Sequence, residues 1–263
     1  ATAVVSPTLP QVSFLPPAEA ARVARESNEY ARKLADQHQG RFGVFAMLPM
    51  PHIDESLKEI AYALDTLHAD GIGMLTDYGD KWLGYPVFRP VFDELNRRKA
   101  VVYTHPTAPT CCVNLAQDVP DVAVEYGADT TRTIVNLIFS GASQRYQDIS
   151  FIFSHGGGVL TAVAERLQIQ LERTPPYKGA FTQERVQHEL NRFFYDTAQV
   201  ANAVTIEALA KLVPLSQIVF GSDFPYRTSA ETVAGLAQRF QGPTLRGIER
   251  ENAMRILPGL QRV

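Results

Sequence analysis

Ser150-Phe151-Ile152-Phe153-Ser154-His155-Gly156-Gly157-Gly158 is an apolar run too short for a helix, ending on a polar pair and three glycines. A run that is apolar without alternation, bounded by turn formers, reads as a strand buried on both faces. Outward from it, the same pattern recurs at Ala3–Ser6, Gly43–Leu48, Gly71–Leu75, Ala100–Thr104, Phe193–Tyr195 and Ile218–Gly221, which makes seven strands. Helical periodicity fills the intervals: Ala18–Gln37, Ile53–His68, Val87–Lys99, Asp121–Gln144, Gly158–Arg173, Thr205–Leu212 and Ala230–Phe240, with a last helix at Gly247–Leu257. Strand and helix alternate throughout, as parallel βα units require.

Two architectures accommodate that alternation. One is a (β/α)8 TIM-type barrel forming a single domain over residues 1–263, apparently lacking its first strand in this sequence, because the chain opens inside what already reads as a strand. The other is an open doubly wound sheet, which tolerates seven strands. The barrel is the expected fold. The turn-rich segments Pro106–Pro120 and Thr174–Ala180 read as loops over a site.

Composition narrows the partners. A net charge of -3 with no Lys/Arg run argues against a nucleic-acid or anionic-membrane surface and leaves small molecules as ligands. No stretch reaches the roughly 18 to 20 apolar residues of a membrane span. The two cysteines, Cys111 and Cys112, are adjacent and form no disulfide framework. A cytoplasmic location is expected.

In either architecture function sits at the carboxyl ends of the parallel strands. Those ends carry His105, His155, Asp196 and Asp223. Each alone is equally a strand-end residue capping a turn, but four on one rim point to a site. His105 and Asp223 can hold a divalent ion and leave positions open for water or substrate. The glycines after His155 let a ligand or a neighbouring strand approach the backbone. Trp82, in Asp80-Lys81-Trp82-Leu83-Gly84-Tyr85-Pro86, follows the third strand and is placed to wall an aromatic substrate or to pack on the rim. Phe224, beside Asp223, is a second candidate for substrate contact.

Tyr103-Thr104-His105-Pro106, Phe153-Ser154-His155-Gly156-Gly157-Gly158 and Gly221-Ser222-Asp223-Phe224-Pro225 together resemble the amidohydrolase-related family. That family includes the aminocarboxymuconate semialdehyde decarboxylases and the nonoxidative decarboxylases of γ-resorcylate and 6-methylsalicylate. The resemblance implies that His105 and Asp223 are metal ligands, that His155 is an acid/base residue beside the metal, and that the ion is Zn or Mn. It further implies that Arg166, eleven residues after His155, binds a substrate carboxylate across a homodimer, a task suited to a guanidinium. Family members add a His-x-His pair at the end of the first barrel strand, and this sequence contains none.

The expectation is thus a metal-dependent lyase that removes carbon dioxide from an aromatic or unsaturated carboxylic acid. His155 and Asp223 are its catalytic residues. A metal-dependent hydrolase of a lactone, ester or amide uses the same ligands, since the fold alone does not select the reaction. A noncatalytic binding protein with an incomplete metal site is the third reading.

Overall fold

The computed structural model of the chain describes residues 2–175 and 181–262. In chain order the elements are β1 (Ala3–Val5), α1 (Pro17–Gln37), β2 (Phe42–Met47), α2 (Ile53–Ala61), β3 (Gly71–Leu75), α3 (Arg89–Arg97) and β4 (Val101–His105). There follow α4 (Asp121–Phe139), α5 (Ala142–Arg145), β5 (Ser150–Phe153), α6 (Leu160–Arg173), α7 (Gln183–Arg192) and β6 (Phe194–Asp196). The chain continues through α8 (Ala203–Leu212), β7 (Ile218–Val219), α9 (Ser229–Ala237), α10 (Gly242–Arg246) and α11 (Asn252–Ile256).

All seven strands lie in one sheet in strict chain order, and every neighbouring pair is parallel. Sequential order decides between the two candidate architectures. Crossovers of one hand between consecutive neighbours place every helix on the same face, so the sheet curls around its other face as a barrel does. A doubly wound sheet instead needs a reversal of strand order, and there is none.

Side chains show the two faces directly. Val101 and Tyr103 of β4 point inward with Val4, Phe45, Ile152, Phe194 and Val219, while Val102, between them, joins the outer layer against the helices, the period of two that a strand imposes. Leu257 and Leu260 pack onto the inner cluster and close the amino-terminal end. Each fully buried Phe or Leu contributes roughly 1.5–3 kcal/mol.

Several helices stop earlier than periodicity suggests. The long helix expected over Asp121–Gln144 breaks after Phe139, because Gly141 adopts φ 76 and α5 starts from it. Ile53–His68 is α-helical only to Ala61 and passes through a π turn over Tyr62–Thr66. α6 begins at Leu160, since Gly156, Gly157 and Gly158 all have positive φ. In contrast, α9 starts on a full capping box, Thr228 with Glu231, which ties down two otherwise free amides. Of the loop expected over Thr174–Ala180, residues 176–180 lie outside the described residues.

Candidate active site

β4 ends on His105, buried at the rim. Its Nδ1 lies 2.8 Å from the Pro106 carbonyl oxygen, a contact that fixes the proton on Nδ1 and leaves the Nε2 lone pair free. Nε2 faces the Thr8 hydroxyl at 3.0 Å, so the loop after β1 supplies the floor beside it. Tyr126 of α4 meets the imidazole edge-on, with ring centroids 6.4 Å apart. Burial, with His155 alongside, pushes the His105 imidazole below its ordinary pKa.

β5 delivers His155, whose ring stands 6.1 Å from that of His105, nearly perpendicular. The residue has φ 55, a left-handed conformation that is uncommon for a residue with a Cβ. Asp196, at the end of β6, anchors it: Oδ1 accepts from the His155 amide at 2.9 Å and from the Ala198 amide at 3.0 Å. The other oxygen of Asp196 accepts from the Tyr103 hydroxyl at 3.0 Å. With three donors and burial in the rim, Asp196 is a scaffold for the neighbouring strand end. Burial pushes its carboxyl up despite those donors.

Asp223 follows β7 and, at φ 61, is also left-handed. Its Oδ2 accepts from Gln199 Nε2 at 2.5 Å and stands 3.6 Å from His155 Nε2. That separation is an ion-pair contact and too long for a hydrogen bond, and His155 Nε2 is buried with no hydrogen-bond partner. Burial alone lowers the His155 pKa, but Asp223 and Asp196 outweigh it and hold the imidazole above its ordinary value. Burial opposes ionisation of Asp223, yet His155 and Gln199 keep its carboxyl below the usual range.

The structure therefore brings His105, His155 and Asp223 together at one end of the sheet. The lone pair on His105 Nε2, which meets only the Thr8 hydroxyl, and the ionised Asp223 carboxylate suit a divalent cation in donor chemistry. They supply two ligands, and the His155 imidazole beside them, held above its ordinary pKa, suits a proton donor. Among the described residues, no three His, Cys, Asp or Glu side chains stand ready to hold a metal ion by themselves.

The other expected residues fall differently. Trp82 is half-buried, and its indole Nε1 donates to Asp129 Oδ1 at 2.7 Å. Phe224 is 75% exposed beside Asp223. Arg166 is exposed on α6 and has no ion pair among the described residues; it is not in the His105–His155–Asp223 group. The glycines after His155 meet protein: a Cβ on Gly157 would lie 3.1 Å from the Tyr195 ring, and one on Gly158 2.0 Å from the Gly127 carbonyl oxygen. Thr8 and Gln199 stand outside the sequence motifs, and Tyr103 stands in one without a role assigned to it. Thr8 has a signal as a polar residue just past a strand end.

A curled, sequential parallel sheet with imidazoles and a carboxylate at its strand ends defines a barrel enzyme of the metal-assisted type. The amidohydrolase family (Amidohydro_2) matches residues 3–259, and the chain belongs to that family. The 6-methylsalicylic acid decarboxylase acuB of Aspergillus aculeatus is 36% identical over 277 residues, covering 99% of this chain and 83% of that protein. The 2,6-dihydroxybenzoate decarboxylase from Rhizobium superposes with a TM-score of 0.87 at 20% identity, over 98% of this chain and 84% of that one. A dihydroxybenzoic acid decarboxylase from Polaromonas, solved with manganese and the inhibitor 2-nitroresorcinol, gives 0.87 at 18% identity, over 100% and 82%. These two structures carry the fold.

Proposed function

We propose that the chain is a metal-dependent nonoxidative decarboxylase of an aromatic carboxylic acid bearing an oxygen substituent beside the carboxylate. The observation that carries this reading is the buried, unpartnered His155 Nε2, 3.6 Å from Asp223 and between the two candidate ligand strands. A buried nitrogen without a partner is costly unless a ligand completes it. Identity of 36% to a 6-methylsalicylic acid decarboxylase over nearly the whole chain supports the substrate class.

His105 through Nε2 and Asp223 through its carboxylate are the residues that would hold the ion, Zn or Mn. When bound, such an ion supplies positive charge for the substrate carboxylate and its neighbouring oxygen. His155, kept protonated by Asp223 and Asp196, gives a proton to the ring carbon that carries the carboxylate. The bond from that carbon to the carboxylate then breaks, its electron pair returns to the ring, and carbon dioxide leaves. Burial of the group keeps water away from this transfer. Trp82 and Phe224 flank the cleft as aromatic walls.

Arg166 acts on the substrate carboxylate of a second copy in a homodimer, which accounts for an arginine without an ion pair on the outer face of α6. Valines and leucines exposed around the same rim, Leu115 at 67% and Val122 at 57% among them, give that second copy an apolar surface. Free thiols at Cys111 and Cys112 suit a reducing, cytoplasmic setting, and no described helix is long and apolar enough to cross a membrane.

Product analysis tests the reaction. Incubation with an ortho-hydroxybenzoic acid should release carbon dioxide and the matching phenol in equal amounts. Ring opening of a lactone without carbon dioxide would move the chain to the hydrolases. In mixtures of Arg166→Ala with His155→Gln, recovered activity would support action across subunits, and silence would place Arg166 in its own subunit or outside the site.

A further inference from the structure

The loop after β3 doubles back on itself. Gly79 and Asp80 have φ 62 and φ 58, the two consecutive left-handed residues of a type I′ turn. Tyr78 donates its amide to the Lys81 carbonyl at 3.0 Å, and Trp82 returns opposite Asp77. Beneath the turn lies Asp129 of α4, which is fully buried. Its Oδ1 accepts from Trp82 Nε1 at 2.7 Å and its Oδ2 from the Thr76 hydroxyl. Thr76 in turn accepts from the Thr107 amide at 3.2 Å, two residues beyond His105.

Asp77 is 5% exposed and stands beside Asp129. Its Oδ1 accepts from the Asp80 amide at 3.2 Å, but Oδ2 is buried with no partner. Two ionised carboxylates do not share so dry a site, and one proton between them removes the conflict. Few other charges face the pair. Arg132, on α4, reaches Glu125 at 3.3 Å and Asp129 only at 4.0 Å, so it neutralises at most one acid. Asp80 in the turn adds negative charge, and the loop after β4 brings Cys111, whose amide reaches Asp80 Oδ1 at 3.4 Å.

We propose that Asp77 and Asp129 share one proton and that this acid pair is the positioning element that holds Trp82 at the cleft. The proton resides on Asp77 Oδ2 and is donated to Asp129, while both Asp129 oxygens stay aligned on Trp82 and Thr76. Burial and Asp129 push the Asp77 carboxyl up to about 7. Near neutral pH the pair therefore loses its proton, the two acids repel, and Trp82 and the Thr76–Thr107 contact loosen together. The effect on substrate binding rests on the reading of Trp82 as a cleft wall.

Trp82 is the only tryptophan in the chain, so it reports on its own site. Intrinsic fluorescence and near-UV circular dichroism of the metal-loaded full chain, followed from about pH 5.5 to about pH 8.5, test the pair. Wild type should show one transition near neutral pH. Asp77→Asn keeps a donor to Asp129 without a titrating proton, and its spectrum should stay at the low-pH form throughout. The infrared band of a protonated carboxylic acid should be present in wild type at low pH and absent at high pH, a readout independent of how the variant folds. A flat wild-type spectrum, or the same transition in Asp77→Asn, overturns the proposal. KM for an ortho-hydroxybenzoic acid should rise severalfold through the wild-type transition and stay level in the variant, with kcat following one pH profile in both. The spectroscopic transition with a level KM would sustain the acid pair and overturn the cleft-wall reading of Trp82.

Discussion

Substituting Gly158 by Ala strikes the joint that sets His155. Gly158 has φ 70 and ψ -124, outside the regions open to a residue with a Cβ, and that strain costs about 1–3 kcal/mol. The new Cβ also lies 2.0 Å from the Gly127 carbonyl oxygen of α4, against the 3.0 Å that real Cβ atoms respect, so two backbones must part by 1 Å or more. Three contacts span that gap: Val159 N to Gly127 O at 3.2 Å, Val159 N to Thr131 Oγ1 at 2.9 Å, and Thr131 Oγ1 to Gly157 O at 3.0 Å. At about 1 kcal/mol for each bond weakened, Gly158→Ala should lose roughly 4–6 kcal/mol with the strain included. Gly156→Ala is the control. Gly156 sits at φ 61 and ψ 22, an accessible left-handed conformation, and its Cβ would meet side chains and no backbone, Val200 at 3.0 Å and Leu209 at 3.4 Å, so about 1–2 kcal/mol is expected. Urea unfolding followed by circular dichroism measures both. Equal losses within about 1 kcal/mol would refute the argument, because the close approach of α4 would then not be what excludes a side chain.

The remaining predictions concern charge and ligation. His105→Ala and Asp223→Asn should each strip the metal, and elemental analysis showing a full complement in either would remove that residue from the ligand set. His155→Gln should abolish carbon dioxide release while retaining metal; a variant that keeps wild-type kcat excludes His155 as the proton donor. Tyr103→Phe leaves buried Asp196 one donor short and should cost about 1–3 kcal/mol in urea unfolding, a loss that vanishes if water replaces the hydroxyl. Asp77 titrates higher folded than unfolded, so its contribution is full below the unfolded value near 3.8 and is lost as pH rises through about 7. Between about pH 5 and about pH 7 wild type should therefore lose roughly 2 kcal/mol relative to Asp77→Asn, and parallel stability curves would rule out the shared proton.

What the sequence disclosed follows from which forces are local. The strands were legible because a buried parallel strand must be apolar on both faces, and each run ended within a residue or two of where β1 to β7 end. Their polar carboxyl ends then named His105, His155 and Asp223 without any contact being known. The partners of those residues were illegible for the opposite reason. Gln199 meets Asp223 across 24 positions, Thr8 meets His105 across 97, and Asp129 meets Trp82 across 47; no periodicity encodes such pairs. Asp77 could have been found, since it stands two residues beyond Leu75 at a strand end, the rule that located the histidines. The triple glycine leaves two occupants open, a ligand or a neighbouring strand, and the structure fills the space with protein: Gly157 makes room for the Tyr195 ring of β6 and Gly158 for the backbone of α4. That packing still serves the site, because α4 carries Asp129 and Tyr126 as well as Gly127. One helix thereby meets the glycine turn behind His155, the edge of the His105 ring and the indole of Trp82, so a shift of α4 would disturb all three together.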